Sequence, residues 1–188
     1  MQKQHYFIII FICTIVLGQH KARAQAELPN STASTSVSLS LSDVLSIDAV
    51  SNAHVNFIYN TADDYNTDQE HIVQNNLTVT SSGSFDIKAE AIGNHFMITN
   101  GNTGGNNSNK IKVGVLEIEA VAGGTMGGQY KRISKTKTNS QTLVKNASSG
   151  ASQTLDIKYS IPAKEARKFV KLLNNTYTQQ VKYTAVAR

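Results

Sequence analysis

Apolar residues recur at every second position in three stretches of this chain. Val37, Leu39 and Leu41 are separated by serines. Phe85, Ile87, Ala89 and Ala91 alternate with Asp86, Lys88 and Glu90, and Leu155, Ile157, Tyr159 and Ile161 alternate with Asp156, Lys158 and Ser160. A period of two puts one set of side chains on one face of an extended backbone, so each stretch predicts a strand with a dry and a wet face. Shorter patterns predict strands at Val44–Val50, His54–Tyr59, Leu77–Ser81, Phe96–Thr99, Arg132–Thr136, Gln141–Val144 and, last, Tyr177–Ala187. Between them fall Ser82-Gly83, Gly93-Asn94, the Gly/Asn-rich run 100–109, Gly123-Gly124, Gly127-Gly128 and Ser148–Gly150, all turn signals. Many short strands at regular spacing predict an all-β fold, an immunoglobulin-like antiparallel sandwich.

Two segments depart from the strand period. In Ile111–Ala122 the apolar parity changes at Val115-Leu116, which predicts a bulge or a strand passing from one sheet to the other. After Pro162, residues Ala166, Phe169, Val170 and Leu173 share a helical face, with Lys164, Arg167, Lys168 and Lys171 towards solvent until Asn174-Asn175. This predicts a short crossover helix near the C-terminus, its basic side a solvated face.

The start of the chain bears on where the protein acts. Lys3 and His5 precede an apolar run from Tyr6 to Leu17, and Ala22-Arg23-Ala24 places small residues two apart, as a cleaved secretory signal does. Cleavage is expected after Ala24, with Ala26/Glu27 as the alternative. The predicted organisation is a signal peptide at 1–24, a polar flexible tether at 25–36 and a β-sandwich at 37–188. The apolar run is shorter than the roughly 20 residues a membrane-spanning helix needs, and no later stretch matches it, so no transmembrane segment is expected after cleavage. The protein is therefore expected to be exported to the periplasm, cell surface or medium. The one cysteine, Cys13, leaves with the signal, so the mature chain is expected to fold without disulfides or thiolate metal sites. That points to a bacterial source.

Charge excludes little but is distributed unevenly. The formal charge of +5 falls to +2 once Lys3, Lys21 and Arg23 are removed, which makes no case for nucleic acid. Residues 25–109 carry nine acids and one base, Lys88, whereas 110–188 carry four acids and fourteen bases. Either the strands of the two halves interleave and the charges mix, or the molecule is polarised; interleaving is the simpler expectation.

Candidate chemistry is sparse. Asp64, Asn66 and Asp68 stand at alternate positions like the first ligands of a calcium loop, but Gln69 occupies the glycine position and Asn75 that of the closing glutamate. They are weak metal candidates. His54, His71 and His95 are not spaced as a metal site. No Gly-x-Ser-x-Gly turn is present, Glu117 and Glu119 fall on the wet side of one strand, and the glycine runs lack the lysine end of a phosphate loop. No catalytic residue, cofactor or enzyme activity is expected. Without tryptophan, sugar stacking would depend on Tyr59, Tyr65, Tyr130 or Tyr177.

Two groups of residues carry a resemblance: Leu77–Ser82 with Phe85–Ala89, and Leu155–Pro162 with Thr176–Ala185. In these, covering about the last two thirds of the chain, it resembles bacterial exported β-sandwich proteins of the spore-coat-U and WxL-like surface-domain style. The resemblance implies an immunoglobulin-like sandwich closed by a tyrosine-rich final strand, acting through surfaces and strand edges. The tandem Trp-x-Leu motifs of one group and the cysteines common in pilus subunits are absent, and no functional residue carries over. The expected function is an exported surface structural or adhesive subunit with itself or other surface proteins as partners; the alternative is a soluble exported module binding glycan or calcium. Val37, Leu39 and Leu41 are the candidate assembly strand, because three apolar side chains at spacing two suit a strand donated to a neighbouring copy. The simpler expectation is that they form the first strand of their own domain.

Overall fold

The computed structural model describes residues 35–51, 54–100, 110–172 and 175–188. The expected signal peptide, most of the tether, Cys13 and the predicted helix end at Leu173-Asn174 lie outside them. The chain divides into two units, 1–40 and 41–188. Of the first, residues 35–40 are described and have no regular secondary structure.

The second unit is all-β, as the alternation predicts. Its strands are β1 (Leu45–Ala49), β2 (Gln69–Ser81), β3 (Phe85–Ala91), β4 (Met97–Asn100), β5 (Glu117–Val121), β6 (Gln129–Tyr130), β7 (Arg132–Ile133), β8 (Gln141–Ala147), β9 (Gly150–Ile161), β10 (Thr176–Thr178) and β11 (Val181–Ala187). One antiparallel sheet has the order β1-β2-β9-β5-β7 and another β11-β3-β8-β6, with β4 and β10 forming a two-stranded ribbon. The tight turns β2–β3 and β8–β9 each carry the chain from one sheet to the other. The two sheets bury a common core: Leu77, Val79, Ile118, Leu155 and Ile157 from the first, Phe85, Ile87, Ala89, Leu143 and Val144 from the second. Burial along β3 alternates strictly, as its sequence does. Val181 and Tyr183 share that parity but are only half-buried, because β11 is the outer strand of its sheet.

Four expectations need correction. Val37–Leu41 belongs to no strand: the first strand is β1, and β1 already occupies the edge of β2 from Leu77 to Ser81. A pattern states which side chains seek burial, but a strand also needs a free edge to pair with. Second, the predicted last strand is two strands, β10 pairing with β4 and β11 with β3, separated at Gln179-Gln180. Third, the phase change at Val115-Leu116 is neither a bulge nor a sheet crossing; a 3-10 turn at Val113–Val115 turns the chain before β5, leaving Val113, Val115 and Leu116 all buried. Fourth, the helix after Pro162 spans only Ala163–Ala166 and continues as a 3-10 turn at Arg167–Phe169. Its buried residue is Ala166, while Val170 is exposed. His54–Tyr59 is intermediate: Val55, Phe57 and Tyr59 alternate onto the core, but the segment is assigned to no strand.

Interleaving accounts for the charge asymmetry. Because β3 lies against β11 and β2 against β9, acids of the first half meet bases of the second: Glu90 with Lys182 at 2.9 Å, Asp86 with Arg188 at 3.3 Å and Glu70 with Lys158 at 3.4 Å. The two halves neutralise each other within one sandwich, so head-to-tail pairing of an acidic end with a basic end is not needed. Lys158 also meets Glu119 at 2.9 Å, so one lysine on the central strand joins β2, β9 and β5. Among the described residues no helix is long and apolar enough to cross a membrane.

A chain of polar groups crosses the core. β2 carries a register shift against β9 between Val73 and Leu77, and within it Asn75 takes a positive φ of 49° while its N–H donates to Asp156 Oδ1 at 2.7 Å. The irregularity brings the buried Asn76 to Tyr159, whose hydroxyl donates to Asn76 Oδ1 at 3.0 Å. Tyr183 Oη lies 2.5 Å from Tyr159 Oη. With the Tyr159 proton committed to Asn76, Tyr183 is the donor of that bond, and the chain Tyr183–Tyr159–Asn76 joins the outer strand of one sheet to the centre of the other.

Candidate functional site

The segment before β1 is the most exposed apolar stretch described. Val37, Leu39 and Leu41 are 90%, 82% and 83% exposed, above every other large apolar residue described, of which Met97 at 69% is next. Singly exposed leucines are ordinary, but three apolar residues at spacing two, all exposed on one segment without regular secondary structure, are not.

One side of the sandwich is incompletely covered. The outer strands β1 and β11 are the ends of their sheets on that side and contact each other across it. Of the core residues they carry, Ile47 on β1 and Val181, Tyr183 and Ala185 on β11 are only partly buried. Among the described residues the seven residues of β11 are laddered to β3 alone, and no strand pairs with their other edge. The seam thus combines incompletely covered apolar side chains with an unpaired backbone edge.

Asp64, Asn66 and Asp68 do not converge. Asp64 Oδ2 accepts the N–H groups of Asn60 at 2.8 Å and Thr61 at 2.6 Å, and these amides, that of Thr61 foremost, hold its carboxyl below the usual range. Asn66 Nδ2 donates to Ala62 O at 2.9 Å. Asp68 Oδ1 accepts the N–H of Ala163 at 2.7 Å, so it caps the short helix from 95 positions away. No group of three His, Cys, Asp or Glu able to hold a metal occurs among the described residues. Asp68→Ala is expected to lower stability by about 1 kcal/mol through loss of the cap. Millimolar calcium is expected to leave the melting temperature of the unaltered protein unchanged. Differential scanning calorimetry of both checks this, and a calcium-dependent rise would restore the metal reading.

The tyrosines do not line one platform. Tyr59 sits 5.1 Å from Tyr65 and edge-on to Phe169 at 5.8 Å; its hydroxyl is buried without a partner, and burial, chiefly, pushes its pKa up to about 12. Tyr130 is on β6, donating to Met126 O, and Tyr177 is on β10 with a buried hydroxyl. The histidines are equally dispersed: His71 packs edge-on to Phe57 at 5.1 Å, and His95 bridges Lys112 through the backbone. Glu117, expected on a wet face, is buried beneath Arg132, which donates to it through Nε at 2.9 Å and through a second nitrogen. Its carboxylate is committed to that pair.

One feature escaped the sequence pattern altogether. An open cleft of about 410 Å³ lies between the 110–115 segment, Lys135 and the turn after the helix. Its floor is apolar, formed by Ile111, Val115, Phe169 and Leu172, and lysines stand on its rim. The signal is distributed over three segments that no local pattern links. Neither a scan of family models nor a search of curated proteins finds a match for this chain.

Proposed function

We propose that the protein is an exported, non-catalytic surface subunit that assembles with copies of itself by strand exchange, Val37–Leu41 of one copy lying along β11 of the next. The observation that carries this reading is the exposure of Val37, Leu39 and Leu41 on a segment without a strand partner. Added to the free edge of β11, the segment would form main-chain hydrogen bonds, and its three apolar side chains would enter the seam over Ile47, Tyr183 and Ala185. A donor that precedes the first strand and an acceptor on the last join one copy to the next, so exchange gives a reciprocal dimer where two copies donate to each other and a longer multimer where they donate in turn. The leader-like N-terminus and the resemblance in Leu155–Pro162 and Thr176–Ala185 support export and a surface role.

The test is size analysis by light scattering of the mature protein, of a Leu39→Asp variant and of a chain beginning at Asp43. Exchange predicts multimers for the first and monomers of unchanged melting temperature for the second. The shortened chain is expected to be monomeric and to bind an added peptide of sequence 37–41. A mature protein that stays monomeric at high concentration, or a shortened chain that ignores the peptide, sinks the reading.

A further inference from the structure

We propose that the cleft beside the helix is a binding site for a single amphipathic organic anion, a molecule with a short apolar body and a carboxylate, sulfate or phosphate head. Its volume, about 410 Å³, lies in the range of small-molecule sites. The floor offers Ile111 and Val115, both buried, and the half-buried Phe169 and Leu172, against which methylene groups or a ring would pack.

The rim decides the class of ligand. Lys110, Lys112, Lys135 and Lys168 stand around the floor and Glu165 is the one acid there. Glu165 is already paired with Lys168 at 2.6 Å, whereas no ion pair among the described residues involves Lys110, Lys112 or Lys135. Lys158, Lys182, Arg132 and Arg188 each face an acid, whereas Lys88 on β3 and Lys145 on β8 are in no ion pair among the described residues either; what sets Lys110, Lys112 and Lys135 apart is that they gather round one apolar cleft. Three uncompensated cations over an apolar floor attract an anion with an apolar body and disfavour a cation or a neutral polar molecule. Lysine ammonium groups on flexible stems do not impose the bidentate geometry that arginine would, so the head can be any of the three anions.

Decanoate is the probe, titrated calorimetrically into the protein, with decanol as the neutral comparator and backbone amide shifts locating the contact. We expect saturable binding with the Gly114 amide among those that shift. A Lys112→Glu/Lys135→Glu variant, both positions exposed, should weaken binding about tenfold or more, equivalent to about 1.4 kcal/mol. A Lys164→Glu/Lys171→Glu variant carries the same net charge with its changes outside the cleft and should bind as the unaltered protein does. Equal affinity for decanol, an equal loss in the two variants, shifts confined to other residues, or no binding at all would each overturn the proposal. Binding to vesicles of an anionic phospholipid without any binding of monomeric decanoate would do so too, assigning the lysines to a membrane surface. The cleft shares no residue with Val37–Leu41 or β11, so this result stands whichever way the assembly test falls.

Discussion

Phe85→Ala is expected to lower the free energy of unfolding by about 3 to 5 kcal/mol. Phe85 is the largest of the fully buried side chains and opens β3, where it lies opposite Ala147 on β8 and Ala187 on β11. Those neighbours are small and cannot grow into the space left behind, so the lost transfer energy comes with a cavity that collapses only in part. A loss of that size is a large share of the 5 to 15 kcal/mol typical of a domain. Phe85→Leu, keeping most of the volume, should cost less and stay folded. Urea denaturation of the three proteins measures this, and an alanine variant with the midpoint of the unaltered protein would remove Phe85 from the core.

The second large effect is expected from Tyr159→Phe, which deletes the middle of the polar chain through the core. Asn76 Oδ1 loses its donor and Tyr183 its acceptor in a buried setting, at a cost of about 1 to 3 kcal/mol at neutral pH. The same residues govern alkaline stability. Burial raises the pKa of Tyr159 and raises that of Tyr183 well above the usual phenol range. Below pH 10 the phenols are neutral in both states and contribute nothing to the pH dependence. Above it the unfolded chain gives up these protons and the native state keeps them, so stability falls by about 1.4 kcal/mol per pH unit for each phenol held neutral. Removing one phenol should make the decline above pH 10 shallower. Parallel curves of urea midpoint against pH for the two proteins would contradict the arrangement.

Parts of this structure were legible residue by residue. β3 stands where its alternation puts it, because a half-buried strand needs one apolar face and the period of two records it directly. The second half of β9 is a strand as its alternation predicts, but its expected wet face is covered too: as a central strand it buries Asp156 and Ser160 along with Leu155, Ile157, Tyr159 and Ile161. The first half of β2, Gln69–Asn76, was invisible: its partner β9 holds it in the sheet, while its own residues are mostly polar and exposed. Among the candidate site residues, the alternating carboxylates at Asp64 and Asp68 are real anchors, but for backbone amides. One of those amides is distant in sequence, and spacing carries no record of it.

By itself, the order of apolar and polar residues determined that this is an all-β molecule and which faces of strands such as β3 turn inward. Tertiary structure alone decided that β1 takes the edge of β2, that the acidic and basic halves cancel across β3–β11 and β2–β9, and that Lys110, Lys112 and Lys135 crowd one apolar cleft. The division has a physical cause. Strand alternation is local, an interaction of each residue with the face it occupies, whereas edges, ion pairs and clefts depend on which distant strands become neighbours, and that choice is made by the packing of the whole core.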